Sequence, residues 1–124
     1  MTGRVAGERG PIVFMVQEPR MRDPVTRVWK TMDTTPALDY GTIEVLIETG
    51  KQVMFNAAPT VRDLRTKLAR YRDGDFIVAA GDPVAIGIAC AIVAETNGGR
   101  FTVLKWDNME HRYFPVPVDL KGEL

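Results

Sequence analysis

Apolar and polar positions along the chain change period from block to block, and each block predicts an element. Ile12-Val13-Phe14-Met15-Val16 is a short apolar run closed by Glu18-Pro19-Arg20, which predicts a strand. Residues 17–41 are harder to assign: Pro19, Pro24 and Pro36 break helices, and Val25 to Trp29 is expected as a second extended piece. Thr42 to Glu48 alternates Ile43, Val45 and Ile47 against polar neighbours, a half-buried strand with Leu46 as the exception. Gly50 then turns the chain into Gln52-Val53-Met54-Phe55, an expected hairpin partner. Residues 61–72 switch to helical spacing, with Val61, Leu64, Leu68 and Tyr71 on one face. Thr60 and Asp63 have the form of a capping box, and Asp63 precedes Lys67 in the order that favours an ion pair.

Asp73-Gly74-Asp75 reads as a turn into a wholly apolar strand, 76–80. Asp82 as N-cap and Pro83 at the first helical position open a helix over 83–95, and Asn97-Gly98-Gly99 closes it. This helix is apolar all round, so it must be covered on more than one face. Residues 101–106 form the next strand, and His111 to Val118 returns as its antiparallel partner. Pro115 and Pro117 put that return strand at a sheet edge. Strand, helix and strand over 76–106 make a βαβ unit with a right-handed crossover and parallel strands. The expected fold class is α/β, with α+β as the alternative. It would be a single domain with a mixed sheet of five or six strands, the βαβ unit, a C-terminal antiparallel hairpin and two main helices.

Length and composition narrow this further. The 124 residues suit one domain, with residues 1–10 as a flexible arm and 11–124 as the folded body. Apolar residues make up 45% and charged residues 26%, a globular composition. There is no serine, one histidine (His111) and one cysteine (Cys90), so a Ser-His-Asp triad and a Cys/His zinc site are both excluded. A lone cysteine fits a reducing compartment, and residues 1–10 hold no apolar run of the signal-peptide kind. The longest apolar stretch, Pro83 to Ala94, is too short to cross a hydrocarbon core of about 30 Å. A cytoplasmic protein without membrane contact is the expectation.

Charge is balanced, sixteen basic residues against sixteen acidic, but unevenly placed. Arg62, Arg65, Lys67, Arg70 and Arg72 concentrate on the first helix and could contact an acidic partner or nucleic-acid phosphates. The plainer reading is a solvated helix face. A second constellation lies where ligands bind in open α/β sheets, beyond the strand carboxyl ends. There Gly81, Asp82, Val84 and Ala85 could dock a phosphate on free N–H groups, or Asp82 and Asp107 could share Mg²⁺. The plainer reading makes Asp82 a cap, which would repel phosphate, and Asp107 a turn residue. His111 lacks an oriented carboxylate, Cys90 lacks a nearby cation, and Trp29 and Trp106 read as packing anchors.

The segments APTVRDLRTKLARYRDGDF and GDPVAIGIACAIVAETNGGRFTVLKWDNMEHRYFPVPVDL resemble small uncharacterised proteins of tailed bacteriophages over roughly residues 41–119. The resemblance implies expression inside a bacterial host and carries no catalytic residue with it. The function expected is a non-catalytic accessory protein that binds a macromolecule through the basic helix. A host or phage protein comes first as partner and nucleic acid second. The alternatives are a phosphate, nucleotide or Mg²⁺-dependent ligand at Gly81–Ala85 with Asp107, and a virion or assembly component. No cofactor is needed in the leading reading. A homo-oligomer would form through helix 83–95 or the sheet edge 112–118.

Overall fold

The apolar run after Pro11 becomes the middle of a sheet. The computed structural model describes residues 9–122. In chain order the elements are β1 (Ile12–Met15), β2 (Arg20–Arg22), β3 (Trp29–Thr31), a 3-10 helix (Thr35–Asp39), β4 (Thr42–Val45), α1 (Ala58–Leu68), β5 (Phe76–Val78), α2 (Pro83–Thr96), β6 (Arg100–Asp107) and β7 (Arg112–Asp119). Five strands form one mixed sheet in the order β4-β1-β5-β6-β7, and β2 and β3 form a separate antiparallel ribbon. β4, β1, β5 and β6 run parallel and β7 runs antiparallel to β6, so the fold is α/β with the predicted βαβ unit and C-terminal hairpin. β1 is buried at every residue because both faces of a parallel sheet are covered, which is why it reads as an unbroken apolar run.

Alternation divides β1 between two cores. Ile12, Phe14 and Val16 pack with Leu64, Leu68 and Tyr71 of the α1 segment and with Ala85, Ala89, Ile92 and Val93 of α2. Val13 and Met15 point the other way, towards Ala37 of the 3-10 helix, Val78, Leu104 and Tyr113. The strand order explains the split. From β1 the chain moves outward to β4, then crosses back to β5 and on to β6. Right-handed crossovers put connections of opposite direction on opposite faces. α2 is covered by the sheet and by α1, while Val84, Gly87 and Ala91 stay exposed.

Several boundaries differ from expectation. Residues 52–55 are not a strand: β4 pairs only with β1, and after Gly50 (φ +82°) the chain continues as a loop with Phe55 97% exposed. Just past β4, Leu46 and Ile47 are both buried in the helix-side core, and Val45 is the exposed exception, because this outer strand has no cover there. The second extended piece lies at 20–22 and 29–31, with 23–28 as the turn between. α1 begins at Ala58, so Thr60 is inside the helix. Asn56 Oδ1 accepts the Ala58 N–H, and Pro59 sits in the first turn, where its missing N–H costs nothing. The helix ends at Leu68, which leaves Arg70 and Arg72 in the following turn. Of the arm expected over residues 1–10, residues 1–8 lie outside the described residues, whereas Arg9 is held in place by Asp75.

β7 forms one rim of the sheet, as Pro115 and Pro117 require. In an antiparallel ladder alternate residues direct their N–H to the partner strand and the others direct it away. Proline is tolerated only in the second set, so both prolines occupy positions whose donors would point outward.

Candidate functional site

Two neighbouring strands, β1 and β5, send their chains in opposite directions, β1 towards β4 and β5 towards β6. This is the topological switch point of the sheet, where loops diverge and leave a crevice beyond the carboxyl ends. A cavity of about 350 Å³ occupies it. Its floor is Gly81-Asp82-Pro83 at the start of α2, one wall is the 50–52 loop, and its roof is Arg20 and Trp29 of the ribbon.

Gln17 fastens the crevice. Its amide nitrogen donates to Glu48 O at 2.8 Å and Lys51 O at 2.7 Å, and its oxygen accepts from Asp82 N at 2.7 Å. The side chain is 4% exposed, and all three bonds are made to backbone. One amide thus ties the loops after β4 and β5 to the end of β1. Gly81 is required beside it. It has φ +104°, and an added Cβ would stand 2.2 Å from Gln17 Oε1. Nothing in the sequence marks Gln17, since a glutamine after an apolar strand gives no signal of burial.

Asp82 is the α2 cap, accepting from Ala85 N at 3.1 Å and from Val53 N at 3.4 Å. The N–H of Ala85, expected as a phosphate donor, is therefore already used, and Val84 is exposed at the helix start. Asp107 is a turn residue whose carboxylate accepts from Met109 N and Glu110 N. It lies at the far end of β6, does not line the crevice, and is not brought together with Asp82. Among the described residues no group of three or more His, Cys, Asp or Glu could hold a metal. His111 belongs to that turn, with φ +53°, rather than to the return strand, and its ring meets Trp106 edge-on. Burial pushes the Cys90 thiol up, which makes it a poor nucleophile.

The basic helix is distributed among internal partners. Arg65 pairs with Glu95 at 2.8 Å, Lys67 with Asp63 at 2.9 Å and with Leu46 O, and Arg70 with Glu44. Arg72 donates to Arg9 O at 2.6 Å. Arg62 alone of the five has no polar side-chain contact among the described residues.

A second cationic surface lies on the ribbon. The ribbon carries Arg20, Arg22, Arg27 and Lys30 against one carboxylate, Asp23. Asp23 accepts the Thr26 and Val25 N–H groups, which hold it below the usual carboxylate range together with Lys30. Trp29, expected as a packing anchor, is 53% exposed, with the guanidinium of Arg20 4.9 Å and that of Arg22 5.9 Å from its ring centre. Trp106 does pack, edge-on to Tyr113, with its N–H on Asn108.

A second hub lies at the opposite end of the sheet. Asp75, with a side chain 1% exposed, pairs with Arg9 at 2.6 Å and accepts the backbone N–H groups of Ile12 and Arg72. No helix among the described residues is long and apolar enough to cross a membrane.

In comparison with known proteins, the family model for phage Pam3 gp32-like proteins matches residues 11–120. No curated protein and no solved structure matches.

Proposed function

The chain belongs to the phage Pam3 gp32-like protein family, and from that premise we propose that it is a non-catalytic accessory protein of a phage that works by docking on a protein partner, host or phage. The observation that carries this reading is the β2–β3 ribbon. No residue from 20 to 32 contributes a buried side chain to either core, so the ribbon stands outside both. It nevertheless holds Met21, Val25, Val28 and Trp29 in the open, Val25 at 86% exposure. Exposed apolar groups rimmed by charge mark interaction surfaces, and Trp, Met and Arg are the residues enriched at the centre of protein interfaces. An ordered ribbon of this kind also spares a complex the entropic cost of ordering it.

The basic helix supports the same surface only in part. Arg65, Lys67, Arg70 and Arg72 are engaged within the chain, whereas Arg62 faces solvent in the first half of α1, at the carboxyl end of the sheet, where the ribbon also lies. The expected partner surface is acidic with an apolar centre. The test is affinity capture from host and infected-cell lysates with three forms of the protein. Replacing Arg20, Arg22 and Arg27 by glutamate should abolish capture of a specific protein at unchanged thermal stability. Replacing Arg62, Arg65 and Arg70 should weaken capture far less. Capture that survives the ribbon substitutions refutes the proposal.

A further inference from the structure

We infer that the crevice beneath the ribbon is a binding site for a small anion bearing a flat ring, the class of a nucleoside monophosphate. This goes beyond the docking surface, because three of its elements lie elsewhere: the 50–52 loop, Gly81 and the buried Gln17. The cavity falls within the roughly 300–1,000 Å³ of pockets that take small organic ligands. It stands at the position where open α/β sheets place ligands. Its walls supply both recognition elements of such an anion. Trp29 offers a half-exposed ring, and Arg20 and Lys51 border the cavity without a carboxylate partner among the described residues. The Arg20 and Arg22 guanidinium groups lie over the Trp29 ring, at 4.9 and 5.9 Å from its centre, so a base that stacks on the indole displaces one of them, and Arg20, which borders the cavity, turns its donors to the phosphate.

The acidic groups of the crevice set the charge it accepts. Asp82 spends an oxygen on two backbone N–H groups and keeps phosphate away from the α2 start, so the anion is held by side chains of the roof and wall. Glu18 also borders the cavity and opposes further negative charge. A monophosphate is therefore favoured over a triphosphate.

The experiment titrates the whole protein with adenosine and uridine monophosphate, adenosine triphosphate, adenosine and inorganic phosphate, by calorimetry. Trp29 fluorescence in a Trp106→Phe background gives a second readout. The expected result is saturable monophosphate binding, with each of the other three probes at least about tenfold weaker. Arg20→Ala and Lys51→Ala should each raise Kd about tenfold, the effect of ~1.4 kcal/mol, and Arg62→Ala should leave it unchanged. Both altered residues are exposed, so folding is not at risk. Absence of saturable binding at about 10 mM of either monophosphate, or binding indifferent to Arg20→Ala and Lys51→Ala, overturns the inference. The docking surface is tested separately: Lys51→Ala should spare partner capture, and Val25→Asp with Val28→Asp should spare the small ligand.

Discussion

Replacing Asp75 by alanine should remove a large part of the stability of the protein, although the residue sits in a turn. Its carboxylate accepts from Arg9 at 2.9 and 2.6 Å, from Ile12 N at 2.9 Å and from Arg72 N at 3.1 Å. Alanine leaves the Ile12 N–H without an acceptor at the buried start of β1, which costs about 1–3 kcal/mol. The charge-assisted bonds to Arg9 would contribute about 1.5–3 kcal/mol if dry. The Arg9 side chain is 26% exposed and can turn to water, so about half of that is retained as loss. Together with the Arg72 bond, the expected cost is about 3–4 kcal/mol, against a total of roughly 5–15 kcal/mol for a domain. Urea unfolding followed by fluorescence measures it. With a slope of about 2 kcal/mol/M, the midpoint should fall by about 1.5–2 M. Arg9→Ala should cost less, since the carboxylate keeps both backbone donors. A midpoint shift below about 0.5 M for Asp75→Ala, or an equal cost for Arg9→Ala, would show that Asp75 does not hold β1 through the Ile12 N–H.

Gly81→Ala should destabilise by about 2–4 kcal/mol, because the methyl group meets the Gln17 side chain and the φ of +104° is strained for any side chain. Gln17→Gly in the same chain should not restore full stability, as three backbone partners lose their amide; thermal unfolding of the single and double variants checks both. Tyr71 ionises late, since burial pushes its phenol up to about 12 from the usual 10. The folded state thus holds the proton more tightly, and stability present below pH 10 should be lost as pH rises towards 12. Base-induced unfolding should be visibly shallower in Tyr71→Phe, and identical profiles would refute the assignment.

Local signals foretold the C-terminal half of the fold. The apolar run expected as a strand over 76–80, realised over 76–78, the Asp82-Pro83 start of α2, the glycines after it and the prolines of β7 each act within a few residues. The N-terminal third was less legible, because β2 and β3 are only three residues each and pack on neither core, so no burial pattern marks them. The hairpin expected at 52–55 failed for a related reason. β4 takes a parallel partner 30 residues upstream, Ile12–Met15, which no local pattern announces, and residues 52–55 leave the sheet edge as a loop. At the sites, Asp82 and Asp107 were readable as cap and turn residues. The fate of the arginines was not, since Arg70 finds Glu44 and Arg65 finds Glu95 across 26 and 30 residues of chain. The burial of Gln17 and Asp75 has no sequence signal, because a buried polar residue is recognisable only once its distant partners are in place.

The outward positions of Pro115 and Pro117 have a consequence for how molecules of this protein meet. A rim that lacks amide donors at its two central outward positions is a poor template for a visiting strand, so continuous sheet growth is disfavoured on the β7 side. Self-association across 112–118 would have to rely on side chains such as the half-exposed Val116, giving a contact that dissolves on dilution rather than a fibre.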